Sequence, residues 1–184
     1  MRRFSIAVIV LCNFLAEAQQ PLTANEQRHK NTGDVFVVAL PALALSSTFI
    51  WKDGQKGTYQ FTKALASTVA FSYALKFATN KERPNGENNY SFPSAHTSVA
   101  FASAAFVQKR YGWEYGIPAY AIAGYVGYTR IKANKHDGWD VLAGAVIGTG
   151  MSYLFTKPYN KDKKFQVVSG FINNTPTLGF TYKF

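Results

Sequence analysis

Three short clusters in this chain hold the residue types that anion chemistry needs. The first is Lys76-Phe77-Ala78-Thr79-Asn80-Lys81-Glu82-Arg83-Pro84, and the second is Pro93-Ser94-Ala95-His96. The third is Thr129-Arg130, followed by His136 and Asp140. Arginine grips a phosphate with two parallel hydrogen bonds, and lysine adds a compact point charge. A helix opening at Ser94-Ala95-His96 offers unpaired backbone N–H groups and the positive end of its dipole. His136 and Asp140 stand four apart, which puts them on one face of a helical turn. A carboxylate so placed can hold one imidazole nitrogen and leave the other free to attack. A second histidine, His96, can protonate a leaving oxygen. Each cluster alone has a plainer explanation. Pro93-Ser94 begins many helices, and His136 beside Asp137 and Asp140 could be a surface ion pair. The three together favour an anion site that performs a reaction.

The elements that must position these groups can be read from the apolar pattern. Five apolar segments, 35–51, 64–76, 97–107, 116–128 and 141–155, are helix-compatible and too long for most strands. The breaks between them, 52–57, 83–89, 109–113 and 132–138, are polar and turn-like. The expected fold class is all-α, a bundle of about five to six helices. Joined antiparallel, these helices bring all three clusters to one end. The last twenty residues alternate instead, with a turn at Asn173-Asn174-Thr175-Pro176, and predict a short β-hairpin-like tail.

The charge balance points to an acidic partner. Lys and Arg number 20 against 10 Asp and Glu, a net charge of +10. Such an excess suits nucleic acid, anionic lipid headgroups or phosphorylated substrates. Arg2-Arg3, the apolar run 4–11 and Ala16-Glu17-Ala18 read as a signal peptide over 1–18, with an uncleaved anchor as the rival. Cys12 is the single cysteine and falls in that segment, so no disulfide is expected in the remainder. The loops 52–63 and 109–113 and the tail after Lys157 are basic, as cytoplasmic loops of a membrane protein are. The expected location is the bacterial cell envelope: the inner membrane with the site facing the periplasm, or alternatively the soluble periplasm.

The pattern K-x6-R-P, P-S-G-H and S-R-x5-H-x3-D is that of the type 2 phosphatidic acid phosphatase superfamily, and this chain resembles it from Lys76 to Asp140. That superfamily includes bacterial lipid phosphatases, class A acid phosphatases and vanadium haloperoxidases. The resemblance implies a helical phosphatase domain over 19–184. It implies that His136 is the nucleophile, that Asp140 orients it, and that His96 is the general acid. Lys76, Arg83, Ser94, Ala95 and Arg130 would bind the phosphate. No metal or other cofactor is implied. The expected activity is hydrolysis of a phosphomonoester or diphosphate on a membrane lipid: phosphatidic acid, phosphatidylglycerol phosphate, undecaprenyl diphosphate or lipid A. A soluble acid phosphatase of broad specificity is the alternative. A vanadium-dependent haloperoxidase and an inactive lipid-binding protein stand further off. The partners expected are a phosphorylated lipid or small phosphoester and the membrane, with no nucleic acid and no obligate protein partner.

Two positions depart from the pattern. Ala95 stands for glycine, which fits a helical or extended backbone but not a positive φ. Thr129 stands for serine and keeps the hydroxyl. Among the neighbours, Asp137 reads as a bystander, Lys81, Lys132 and Lys135 as solvated loop charges, and His29 as non-catalytic. Gly144 and Gly148 read as a close helix contact. Trp51, Trp113 and Trp139 fall near segment ends, which suits a membrane interface and equally any helix end.

Overall fold

Thr23 and Glu26 set the start of the first helix. The Thr23 hydroxyl accepts from the Glu26 N–H at 3.3 Å, and the Thr23 N–H donates to the Glu26 carboxylate at 2.8 Å. This reciprocal pair is a capping box. The computed structural model describes residues 22–50, 56–159, 165–172 and 175–182. The expected signal segment, Cys12, Trp51 and the Asn173-Asn174 turn lie outside the described residues.

Helix α1 runs Ala24–Ile50, α2 Gly57–Thr79, α3 Ala95–Tyr111, α4 Trp113–Lys132 and α5 Gly138–Phe155. The all-α bundle is therefore present. The polar stretch before Val35, ahead of the first apolar segment, is helical from Ala24. A polar stretch that is capped at Thr23 pays no penalty for being helical at a bundle end. Beyond the bundle, the backbone of β1 (Phe165–Ile172) runs antiparallel to β2 (Thr175–Tyr182), with Phe165 opposite Tyr182.

Helix α3 is the central element and touches each of the other four. Its composition allows this. Ala100, Ala102, Ala104, Ala105, Ser98 and Ser103 are all buried, and small side chains let helix backbones approach closely. Helix α5 answers with glycine. A Cβ at Gly148 would lie 2.1 Å from the Ser98 carbonyl oxygen, and one at Gly144 would lie 2.6 Å from that of Ser94. The expected close helix contact is this one. Larger residues fill the flanks: Phe61 packs on Phe106 with ring centroids 4.8 Å apart, and Leu40 joins Ala119, Ala123 and Val126. Buried hydroxyls of Ser72 and Ser98 bond across α2 and α3 at 3.0 Å, so neither is left unpaired in the core.

The helix directions alternate. The Ser94 N–H donates to the Asp140 carbonyl at 2.9 Å, and Lys109 Nζ reaches the Tyr153 carbonyl at 2.7 Å. Those two contacts make α3 and α5 parallel. Arg110, at the end of α3, donates to Gln60, near the start of α2, at 3.1 Å. Helix α2 is thus antiparallel to both. The ends of α2 and α4 meet the starts of α3 and α5 at one end of the bundle.

Among the described residues, α1 alone is long and apolar enough to cross a bilayer, with a mean hydropathy of 1.8 over its most apolar 18-residue window. Its Val35, Val38, Leu43, Phe49 and Ile50 point outward at 63–72% exposure. The other four helices keep more polar ends and fall short of that measure.

Candidate active site

The site begins where α2 stops. Asn80 takes the left-handed conformation, φ 45°, and its N–H closes on the Lys76 carbonyl at 3.2 Å. Asparagine tolerates that conformation better than most residues, so the chain can turn there. The segment after it folds back: Ser91 N–H donates to the Lys81 carbonyl at 2.8 Å, and Arg83 N–H to that of Asn88 at 2.9 Å. Lys76, buried in the last turn of α2, fixes this fold with Nζ 2.7 Å from the Tyr90 carbonyl.

Ser94 caps α3, and its oxygen accepts from the Thr97 N–H and hydroxyl. Its own proton remains available to a phosphate. Ala95 is the first helical residue, outside the positive-φ region, so alanine fits where the family pattern has glycine. His96 follows in the first turn and is half-buried.

Helix α5 starts with a second capping box. Asp137 accepts from the Asp140 N–H at 3.0 Å, and Asp140 Oδ2 accepts from the Asp137 N–H at 3.0 Å. Asp140 is fully buried and is held on every side. Ser91 donates its hydroxyl to Oδ2, and Lys81 Nζ donates to Oδ1 at 2.8 Å. His136 Nδ1 stands 3.6 Å from Oδ2 and has no other partner, although buried. The expected nucleophile, His136, and its expected orienter, Asp140, are therefore neighbours, with the contact a little longer than a hydrogen bond.

The remaining cations complete the pattern. Arg130 is 3% exposed at the end of α4. Arg83 is within electrostatic reach of Lys76, Arg130 and His136. Its Nε is buried without a hydrogen-bond partner, a donor that an anion can satisfy. All eight residues expected from the sequence thus gather at one end of the bundle. Burial holds the His136 pKa below the ordinary histidine value, Asp140 pulls it up, and Lys76 and Arg83 push it down. The ring is kept neutral, the form that can attack. Among the described residues, no group of three or more His, Cys, Asp or Glu is placed to hold a metal ion.

Three expectations about the neighbours need correction. Asp137 is no bystander, because it caps α5 and pairs with Lys81 at 2.5 Å. An N-cap side chain turns back over the first helical turn, which a count along the helix face does not capture. Lys81 is not a solvated charge, since Asp137 and Asp140 hold it. Lys135 is buried and paired with Glu87, which also faces Arg83 at 3.4 Å. Lys132 does remain exposed, over the Tyr128 ring at 5.6 Å. Two further residues in the site, Ser91 and Asp34, gave no signal in the sequence. Asp34 reaches Arg130 and His96 from α1.

Beside Lys76 and Arg83 opens a pocket of about 290 Å³, lined further by Tyr73, Phe77, Asn88 and Tyr90. Phe77 meets Tyr90 edge-on at 5.5 Å. A substrate whose phosphate lies on Lys76 and Arg83 can place adjoining atoms there.

This bundle, with Lys76, Arg83, Arg130 and two carboxylate-paired histidines at one end, defines a class. The PAP2 superfamily model matches residues 13–164, and the chain belongs to that superfamily. The chain is similar to the lipid A 4'-phosphatase of Helicobacter pylori, 30% identical over 71% of this chain and 63% of that protein. It is also similar to the lipid A 1-phosphatase of Porphyromonas gingivalis, 39% identical over 52% of this chain and 26% of that one. The chain therefore spans less than two thirds of the length of either relative. In fold it resembles the transmembrane PAP2-type phosphatidylglycerolphosphate phosphatase of Bacillus subtilis, with a TM-score of 0.58 at 21% identity over 74% of this chain and 76% of that one. It resembles Aquifex aeolicus LpxE as well, with a TM-score of 0.54 at 22% identity over 72% and 94% of the two chains.

Proposed function

We propose that the chain is a metal-independent phosphatase acting on a phosphomonoester or diphosphate of a membrane lipid. The observation that carries this is the pairing of buried His136 with buried Asp140, beside the unpaired Nε of Arg83. A buried donor and a neutral nucleophile that both await an anion suit phosphoryl transfer. The names of the curated relatives favour lipid A among the lipids considered.

The reaction runs in two displacements. His136 Nε2 forms a bond to phosphorus while the bond to the leaving oxygen breaks, and protonated His96 gives that oxygen its proton. Lys76, Arg83, Arg130 and the Ala95 N–H hold the three equatorial oxygens, whose charge is best matched in the five-coordinate state. Water then attacks phosphorus and gives its proton to His96 as the P–N bond breaks. Inorganic phosphate leaves, and both histidines return to their starting states. Asp140 keeps the His136 Nδ1 proton throughout.

The location follows the same reasoning. The apolar face of α1 lies in the inner membrane, the basic 109–113 turn and the segment after Lys157 face the cytoplasm, and the site faces the periplasm. The C-terminal hairpin is read as a short tail on this domain. Phosphate release from a panel of lipid phosphates and soluble phosphoesters, in detergent and with EDTA, tests the proposal. Release from one of the lipids, kept in EDTA, is expected. Faster turnover of every soluble ester, or activity lost in EDTA and restored by a divalent ion, would overturn it.

A further inference from the structure

Asp34 is a carboxylate in the site that the three motifs leave out. It lies on α1, 62 residues before His96 in the chain. One oxygen, Oδ1, stands 2.8 Å from Arg130 Nη1 and 3.0 Å from His96 Nε2. The other, Oδ2, takes Lys30 Nζ at 3.2 Å from one turn earlier on the same helix.

The donors of Arg130 show how far α1 controls it. A guanidinium has five N–H donors. Nε donates to the Thr129 hydroxyl at 3.3 Å, and Nη1 to Asp34. Nη2 donates to the Lys30 carbonyl at 2.6 Å and to that of His29 at 3.4 Å. One donor, on Nη1, is left to meet a phosphate. The helices are also close here. A Cβ at Gly33 would lie 2.0 Å from Arg130 Nη2 and 2.2 Å from the Thr129 hydroxyl oxygen. A helix seated this tightly does not swing Asp34 aside.

The contact with His96 fixes that ring too. A carboxylate only accepts, so Nε2 carries its proton toward Asp34. Nδ1 is left for the leaving oxygen. Burial pushes the His96 pKa down to about 4, Arg130 and His136 push the same way, and Asp34 pulls it back up; Lys30 faces the carboxylate itself.

We infer that Asp34 is a positioning residue: it orients His96 for proton transfer and locks the Arg130 guanidinium, so that α1 completes the site. This rests on the assignment of His96 as general acid. Asp34 stays ionised and forms no bond to phosphorus.

The test uses the full chain in detergent, with a lipid phosphomonoester and an activated aryl phosphate as paired substrates. An aryl leaving group needs little protonation, so loss of the acid spares it. Asp34→Asn should lower kcat about tenfold or more on the lipid and less than about threefold on the aryl ester, with KM little changed. The basic limb of the pH–rate profile should move to lower pH, because the imidazolium has lost its facing carboxylate. Asp34→Glu should restore part of both effects, and it carries the test if the asparagine variant fails to fold. Equal losses on both esters with the limb unmoved would make Asp34 merely structural. Tighter vanadate inhibition with faster turnover would make it a competitor for the phosphate position, and that too overturns the inference. His96→Ala is run alongside. An equal loss on both esters in that variant would remove the general-acid assignment itself, a failure distinct from that of Asp34.

Discussion

Lys81 Nζ lies 2.8 Å from Asp140 Oδ1, joining the loop after α2 to the first turn of α5. The lysine is about one third exposed and the aspartate fully buried, so the pair is screened on one side only. Exposed pairs contribute about 0–1 kcal/mol, and breaking a buried one costs about 3–5. Lys81→Ala should therefore destabilise the protein by roughly 1–2 kcal/mol. Asp137 N–H and Ser91 still hold the other carboxylate oxygen. Activity should consequently fall less than in Asp140→Ala, which also removes the Asp140 half of the α5 capping box. Thermal melts and initial rates of the two variants check this. A Lys81→Ala protein with an unchanged melting temperature would show that the pair adds nothing.

His136 should keep the enzyme working in mild acid. Its pKa lies below the ordinary histidine value of about 6.5, so the neutral, attacking ring persists where an exposed histidine is protonated. The acid limb of kcat/KM should accordingly have its midpoint below about 6.5, once the second ionisation of the substrate phosphate, near 6, is divided out. Asp140 raises this pKa, so Asp140→Asn should move the limb further down while lowering the rate. The sign for stability is consistent. The unfolded chain binds the proton more readily, so stability is lost as pH falls below about 6.5. A limb centred above that value would contradict the buried, cation-flanked setting of the ring. His136→Ala should abolish turnover and the acid-labile phosphoprotein trapped from labelled substrate.

Much of this was legible in the sequence because the candidate site residues sit at helix ends. A run of apolar residues fixes the helix, and its end fixes where Lys76, His96, Arg130 and Asp140 must gather. The helical start at Ala24 was also readable, since Thr23 and Glu26 have the spacing of a capping box, though the polarity of the stretch hid it. Asp34 was not readable: no local pattern ties it to a histidine on another helix. Lys81 and Lys135 look like loop charges until the loop folds back, Lys135 onto Glu87 and Lys81 onto Asp137 and Asp140. The membrane assignment was the least legible. Helices α2 to α5 pack with buried Ser, Thr and Ala, which lowers their hydropathy without deciding what surrounds them.

Gly148 should not accept a methyl group. The added carbon would come 2.1 Å from the Ser98 carbonyl oxygen and 2.8 Å from the Ala102 nitrogen, both backbone atoms that cannot turn aside. Helix α5 must then move off α3, and overpacking of this kind costs about 1–3 kcal/mol or more. The shift also separates Asp140 from Ser94, whose backbone groups bond at 2.9 Å. Gly148→Ala should lower both the melting temperature and the rate. Gly150, on the same helix with open space at its Cβ, provides the control, and Gly150→Ala should be tolerated. Equal behaviour of the two variants would dismiss close α3–α5 packing as the reason.

Vanadate should inhibit, and its affinity should report on Arg83. The five-coordinate vanadate ion resembles the transition state that the proposed mechanism has the cations hold. The buried Arg83 Nε has no partner in the protein, so an equatorial oxygen meeting it gains a hydrogen bond and loses no competitor. Lysine keeps the charge at this position but has no Nε–H and no planar fork. A hydrogen bond to a charged group contributes about 1.5–3 kcal/mol. Arg83→Lys should accordingly weaken vanadate inhibition by roughly 10- to 150-fold. Lys132→Ala, which removes an exposed charge outside the site, should change it little. Inhibition constants for the wild type and both variants, taken with EDTA present, settle the matter. Equal weakening in the two variants would mean that vanadate senses only the overall positive charge, and the Arg83 assignment would fall.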